Sequence, residues 1–539
     1  MLKHRNGVLT WGLVLALAGP AALSGQQPAD TTQPGLKPYV VGQALPPVEQ
    51  GQTLLPMSLD DAIQRALKAN LNIQTANLNP EIQHYSLLTA EAAFTPTFST
   101  TLGYRNNTSL PTSTIQAGSG VTQNKRQTYT FNGSLSKPMP WWGGQLSADF
   151  SNSRDASNSQ ISTYNPSYNS SLSLSYAQPL LAGLTMDNQR AALQTQRIQT
   201  DITDLQVKAQ VANITNQVRR AYWALRYAIE QIEIQRRNLE QANQLLTQDS
   251  LQVKLGRMTT SQMLQAAAQV ATAEQALLNA QVQWHTQDLT FKSLLVSGPT
   301  DPLLSDIINP TDRPTETQQS VDIQAAIQVA LNDRTDIREQ RQQRDISQVN
   351  LEASKSNSLP TLNLTAGYSL SGVGGNLCSR SGSGGLQGQC VLVATGGYSD
   401  ALTNIKNFTA PTWNIGLTGS YPIGTNPNKA NLERAKLQLQ QSDLALKSQE
   451  LTIITQVTNA GYAVRNAYLQ LQAAQRSVEA AELSYQGVVQ SFGVGAATNY
   501  EVVQAQNTLT TARVSELNAV INYVDAIAEF QLVQHVGSN

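Results

Sequence analysis

VANITNQVRRAYWALRYAIEQI, residues 211–232, decides how this chain folds. Positions 211, 214, 218, 221, 225, 228 and 232 hold Val, Ile, Val, Ala, Leu, Ala and Ile. Apolar residues spaced 3-4-3-4 and alternating with alanine line one seam of a coiled coil. No proline interrupts residues 188–255, and about 68 residues of helix rising ~1.5 Å each would run roughly 100 Å, the length of a strut rather than of an ordinary globular helix. At Leu255-Gly256-Arg257-Met258-Thr259-Thr260 the glycine supplies a helix stop and the threonines a fresh N-cap. Met263, Ala266, Val270, Ala273, Leu277, Ala280 and Trp284 then resume the spacing, so the strut is expected to fold back as a hairpin.

The pattern returns 239 residues later, where Gln456-Val457 and AGYAVR at 460–465 stand opposite Gln217-Val218 and AYWALR at 221–226. The second seam reads Ile453, Val457, Ala460, Val464, Ala467, Leu471, Ala474, Val478 and Ala481, and the turn repeats as Val494-Gly495 with Thr498 in the place of Thr259. Upstream, Ala62-Ile63, Ala66-Leu67, Pro96, Gly103 and Tyr104 recur 264 residues on as Ala326-Ile327, Ala330-Leu331, Pro360, Gly367 and Tyr368. We read a tandem duplication with loops of unequal length.

Of the 539 residues only 14% are charged, and the formal net charge is −1, so no global field recruits nucleic acid or anionic lipid. Gln, Asn, Ser and Thr replace the missing charge, which suits outer-membrane barrels and helices that pack on copies of themselves. Residues 1–24 combine Lys3, His4 and Arg5 with an apolar run and small residues before Gly25. This reads as a secretory signal peptide rather than a membrane anchor, since the run is broken at Gly19-Pro20. Residues 25–57, rich in Pro, Gln and Gly, read as a flexible leader.

Cys378 and Cys390 are the only cysteines and flank one Gly/Ser-rich loop, so in an exported chain they are expected to pair as a disulfide. His84, His285 and His535 lie far apart without a second ligand type at metal spacing, so neither metal nor cofactor is expected.

The helical period governs 58–93, where Ser58 is the N-cap, Asp60 and Asp61 complement the dipole, and Pro80 is expected to break the helix. From Thr95 the period changes to two: Phe98, Leu102 and Tyr104 alternate with Ser, Thr and Gly. Similar runs occur around 129–135, 146–150, 172–176, 362–370 and 413–421. One apolar face, one small polar face and Tyr or Trp near the ends are what a membrane-spanning barrel strand requires, whereas a soluble sandwich would show Lys and Glu on its outer faces. Loops at 106–126, 154–167 and 371–409, against one short turn at 138–144, give the expected long-loop and short-turn asymmetry. With two to four strands from the first half and two from the second, several chains must share one barrel.

The duplicated order of helix, strands and a long hairpin with an L-G-x-x-T or V-G-x-x-T turn, over about 58–536, resembles the TolC-type outer-membrane efflux channel family. The resemblance implies an α+β membrane protein, a homotrimer whose shared barrel in outer-membrane lipid continues into a periplasmic coiled-coil tunnel. It implies no enzyme and no nucleic acid, but an exit duct for small molecules or proteins, with a periplasmic adaptor and an inner-membrane pump of RND or ABC type as partners. The segments would be helices 58–93, strands 94–180, hairpin 187–297, linker 298–320, helices 321–357, strands 358–423 and hairpin 428–536. The adaptor would dock on the tips at Leu255, Gly256, Arg257, Thr259, Val494, Gly495 and Thr498. The constriction would be lined by Ser261, Gln262, Glu501 and Gln504. The family closes its tunnel with carboxylates and an arginine near these turns; here Gln262 stands where Asp is usual, Ala497 where Arg can stand, and Gln504 where another acid would be, while Glu501 keeps its charge. Without an ionic lock, hydrogen bonds and helix packing are expected to hold the tip closed. The competing reading, a secreted structural coiled coil, explains the seams but not the duplicated strands.

Overall fold

The computed structural model describes residues 41–48, 53–112, 122–158, 162–380, 390–424 and 426–535. The expected signal peptide, much of the expected leader and the side chain of Cys390 lie outside the described residues. The chain through Val41 forms a unit of its own, and every element named below belongs to the unit that starts at Gly42.

Two long hairpins carry the structure. Helix α3 (Asn188–Lys254) returns as α4 (Thr260–Leu295), and helix α8 (Pro427–Gly493) returns as α9 (Asn499–His535). Both outgoing helices have 67 residues and start 239 residues apart. The first seam buries Ile214, Val218, Ala221, Leu225, Ala228 and Ile232 with Ala280, Trp284 and Phe291. The second buries Ile453, Val457, Ala460, Val464, Ala467 and Leu471 with Val520, Tyr523 and Phe530. At Gly461 the approach is so close that a Cβ would lie 2.7 Å from the Ile323 side chain.

Against the hairpins pack two broken helices, α1 (Leu59–Ala69) with α2 (Leu71–Ala92) and α5 (Ile323–Asp333) with α6 (Thr335–Asn357). The first break falls at Asn70 and not at Pro80, which sits inside α2. A proline forfeits one N–H bond, whereas Asn70 accepts from the backbone N–H groups of Asn72 and Ile73 (2.9 and 3.3 Å) and donates to the Leu294 carbonyl (2.9 Å). The second break, at Arg334, lies 264 residues on; its guanidinium donates to the Val533 carbonyl at 3.1 Å. Val533 is the counterpart of Leu294 at the 239-residue offset.

The described residues of the expected leader, 41–48 and 53–57, and the expected linker are more ordered than their composition suggests. Strand β1 (Leu54–Met57) pairs in parallel with β6 (Ile307–Pro310), which falls within 298–320. The backbone N–H groups of Gly42 and Ala44 donate to Glu230 Oε1 at 2.9 and 3.1 Å. Glu230 is 0% and Arg226 4% exposed, and they form an ion pair at 2.7 Å. Arg226 also donates to the Ala44 and Pro310 carbonyls. Tertiary hydrogen bonds to a buried pair thus order segments with no apolar period.

The large sheet runs β2 (Thr97–Ser109), β3 (Asn124–Pro138), β4 (Gln145–Ser157), β5 (Tyr164–Pro179), β7 (Thr361–Arg380) and β9 (Pro411–Ser420), each antiparallel to its neighbours. Strand β8 (Cys390–Ala394) pairs with the far end of β7. The first half therefore supplies four long strands and the second two. One face presents large apolar groups such as Phe98, Leu102, Phe131, Leu174, Trp413 and Ile415, and all six are exposed. The other is mainly Ser, Thr, Asn and Gly with a few charges, and has hydroxyls bonded across strands at Ser99–Ser134 and Ser147–Ser175.

The expected loop 371–409 is instead the continuation of β7, then β8 and a helix, α7 (Tyr398–Lys406). Gly372 and Gly374 are not a solvated loop. A Cβ on Gly372 would lie 1.9 Å from the Ala401 carbonyl, and one on Gly374 2.2 Å from that of Gly397. Lacking side chains, the two glycines let α7 lie on the apolar face, where Tyr398 donates to Asn152 at 2.8 Å.

Removing one partner of a buried ion pair leaves an uncompensated charge, at a cost of about 3–5 kcal/mol. Glu230→Ala is therefore expected to lower stability by that order and to release residues 42–48 to protease; unchanged protection of that segment would show that the pair does not hold it.

Candidate functional site

Both hairpin tips are built by the same local chemistry. Gly256 and Gly495 take positive φ, +71° and +78°, the left-handed conformation that ends a helix. With that turn made, the Arg257 N–H donates to the Gln252 carbonyl (2.9 Å), and the Ala496 N–H to that of Ser491 (2.8 Å). Leu255 and Val494, just before the glycines, are 57% and 82% exposed, leaving an apolar knob at each tip.

The returning helices start on capping boxes. The Thr259 N–H and hydroxyl both donate to Gln262 Oε1 (3.2 and 3.0 Å). Those of Thr498 donate to Glu501 Oε2 (2.6 and 3.0 Å), and Glu501 N–H donates back to the Thr498 hydroxyl at 3.3 Å. The Thr498 backbone N–H holds the Glu501 carboxyl below the usual carboxylate range. Gln262 and Glu501 are thus local structural groups whatever else they do. The sequence signal for these boxes is T-x-x-Q and T-x-x-E ahead of a helix. Ser261, in the first turn of α4, and Gln504, in the second turn of α9, are exposed.

What joins the two tips is a pair that the seam spacing implies on one side only. Continued by threes and fours from Ile232, the seam reaches position 249, which holds an acid. Asp249 is 0% and Asn499 2% exposed, and Asn499 Nδ2 donates to Asp249 Oδ2 at 2.6 Å and to the Gln262 carbonyl at 3.3 Å. Farther along the same contact Gln506 donates to the carbonyl and side chain of Asn238, both at 3.0 Å. The α3–α9 contact near the tips is therefore a polar ladder. Burial pushes the Asp249 carboxyl up to about 6, against the lowering effect of the Asn499 bond. Asp249 Oδ1 and Asn499 Oδ1 lack partners among the described residues.

Cys378 is disulfide-bonded, and the strand bearing Cys390 pairs beside it; the expected role of the Cys390 side chain falls outside the described residues. No group of three metal-capable side chains occurs among the described residues. None of the described helices is long and apolar enough to cross a membrane, which says nothing of the strands.

A family model described as outer membrane efflux protein matches residues 141–295 and 326–538. Among solved structures, the chain is similar to the Campylobacter jejuni CmeC outer membrane channel, with 15% identity over 89% of this chain and 86% of that one, TM-score 0.63. It is similar to VceC of Vibrio cholerae, 14% identical over 88% of this chain and 96% of that one, TM-score 0.62. It is also similar to the open state of the Neisseria gonorrhoeae MtrE channel, 17% identical over 89% of each chain, TM-score 0.58. No curated protein matches.

A carboxyl whose value is raised on folding keeps its proton in the folded tip while the unfolded chain loses it between about pH 4 and 6. Stability of the tip contact therefore falls as pH rises through that window. Asp249→Asn supplies an N–H donor that the ionised carboxylate lacks. At pH 7.5 it is expected to slow amide exchange across residues 255–262 by up to about tenfold, with little difference at pH 5. Equal exchange in variant and wild type at pH 7.5 would refute the tie.

Proposed function

Because the chain belongs to the outer membrane efflux protein family, we propose that it is the exit duct of a tripartite efflux or type I secretion assembly. It works as a homotrimer, grown from a tandem duplication, whose sheets close as one barrel in the outer membrane and whose hairpins form a coiled-coil tunnel in the periplasm. The observation that carries this reading is the six-stranded sheet with an exposed apolar face and a small polar face. A secreted structural coiled coil has no use for such a sheet. Apolar residues remain on the outer faces of the hairpins, among them Leu437, Leu444 and Leu451 at heptad spacing and Leu264 and Leu278 on α4; neighbouring copies would cover these stripes. The family is one of channels, so the chain moves cargo and catalyses nothing; the cargo comes from a periplasmic adaptor and an inner-membrane pump.

The tips serve two roles in this proposal. Leu255 and Val494 are the apolar knobs on which the adaptor docks, set by Gly256 and Gly495 and flanked by Arg257, Thr259 and Thr498. Ser261, Gln262, Glu501 and Gln504 line the constriction, where three copies of Glu501 form an acidic ring favouring cations. The buried Asp249–Asn499 tie stands in for an ionic lock, and Cys378 with Cys390 orders an outward loop.

Two variants separate these roles from local folding. A Cβ at either tip glycine would meet nothing within 4 Å, so the tips are open to a partner, and Val494→Lys is expected to abolish efflux while trimers still reach the membrane. Unchanged efflux would sink the docking role. Glu501→Gln keeps the cap, as Gln262 does in the first tip, and removes the charge; single-channel recording should then show a lower cation preference. An unaltered permeability ratio would rule out the ring.

A further inference from the structure

Within the proposed trimer, we infer that each copy contributes six strands to the wall, so that the barrel has eighteen and its bore admits cargo far bulkier than a twelve-stranded wall would pass. The inference rests on the trimeric reading above and on the sheet itself. All six long strands are bonded in one continuous order, with the β2–β3 register running without a break from Thr97↔Ser136 to Ser109↔Asn124. The long strands that the matched family residues contain are β4, β5, β7 and β9, with the short β8; β2 and β3 lie before residue 141.

Three features make β2 and β3 part of the wall rather than a side hairpin. Their faces continue the alternation of the sheet: Phe98, Leu102, Phe131 and Leu135 share the apolar face, and Ser99, Thr101, Asn132 and Ser134 the polar one. The β3–β4 turn sits at the end where the other strands meet helices. There Gln178 Nε2 donates to the Trp142 carbonyl at 2.7 Å, and a Cβ on Gly143 would lie 2.8 Å from the Gly183 carbonyl. Trp141 and Trp142 are exposed at that turn, at the level where an interfacial girdle belongs. Finally, the open edges are β2 on one side and β9, with the short β8 beyond it, on the other, and every residue of β2 is exposed.

Unpaired backbone groups cannot face hydrocarbon. Since six antiparallel strands are an even number, β9 runs opposite to β2, and β9 of one copy can pair antiparallel with β2 of the next around a closed ring. At about 4.8 Å between strands and about 40° of tilt, eighteen strands set a backbone circle roughly 36 Å across, against about 24 Å for twelve. The inward face is made mainly of short Ser, Thr, Asn and Gly, with few charges such as Arg126 and Asp155, which pair at 3.0 Å. With side chains of about 5 Å on each wall, the bore is roughly 25 Å, wide enough for a helical hairpin or another hydrophilic polymer. The cargo class is therefore a hydrophilic polymer or partly folded polypeptide, on whose charge the wall imposes little selection.

The full-length assembly imaged in nanodiscs by electron cryomicroscopy separates the two layers. Three copies and eighteen strands are expected. Three copies with twelve strands and β2–β3 outside the ring would overturn this inference and leave the trimer standing; any other copy number would overturn the trimer and the inference with it. Spin labels give an independent reading: a label at Phe131→Cys should relax several-fold faster with oxygen than one at Asn132→Cys, and the reverse should hold with a water-soluble nickel chelate. Loss of that alternation would place β3 outside the wall. A neutral polymer about 20 Å across, added from the outer side, should enter the bore and lower conductance; its exclusion would overturn the cargo class.

Discussion

Two helices can lie close together over many turns only where the side chains between them are short, and the alternating alanines of the seams supply that condition. Val218, Ala221, Leu225 and Ala228 in one hairpin and Val457, Ala460, Val464 and Ala467 in the other are buried at matching positions. Gly461 carries the same requirement to its limit, because even a methyl group there would collide with Ile323. The sheet depends on this packing indirectly. Four of its six long strands, β2, β5, β7 and β9, enter from or leave into helices at one end, so the packing of those helices fixes where these strands start or stop.

The two halves share geometry but not chemistry. Asn70 and Arg334 reach equivalent carbonyls, on Leu294 and Val533, with different donors. Tyr222 bonds to Asp312, while Tyr523, in another part of the repeat, accepts from the Gln319 N–H and donates to the Thr317 carbonyl, so one buried phenol from each hairpin holds the same linker, 298–320. The buried Arg226–Glu230 pair has no second version: the equivalent positions hold Arg465, which donates to the Val321 carbonyl, and Leu469, which is exposed. A hydrogen-bond donor can be exchanged where the acceptor is backbone, since any donor satisfies a carbonyl. A buried ion pair needs both members and a desolvated site, so it need not recur.

The same distinction explains what is legible in the sequence. The seams, the hairpin turns and the alternating runs of the long strands are legible because each repeats a period along the local chain, whereas whether the first half supplies two strands or four is not. Strand ends are not. β7 continues past its apolar run through Gly372 and Gly374, and glycine in a run of serines looks like a loop until a helix is found lying on it. β1 and β6 have four residues each and pair across some 250 positions, so no local signal marks them. At the tips, Glu501 and Gln262 are legible as polar residues near a turn, yet their capping bonds belong to the T-x-x-E and T-x-x-Q motifs rather than to a tunnel lining. Asp249 stands at a seam position, where an acid is conspicuous, but its partner Asn499 lies 250 residues away.

The polar character of the α3–α9 contact sets it apart from the seams on either side of it. Apolar seams resist separation in proportion to the area they bury and do so at any pH. The contact through Asp249, Asn499, Asn238 and Gln506 instead exchanges hydrogen bonds with water when it opens, so its net strength is small while its geometry is specific. The weakest junction near the tips therefore lies between the hairpins rather than inside them. The oxygens of Asp249 and Asn499 that lack partners among the described residues lie in that contact, where a single proton changes the balance between contact and solvent. Stability is thus distributed unevenly along the struts, with the strongest packing along the apolar seams and the weakest contact near the tips.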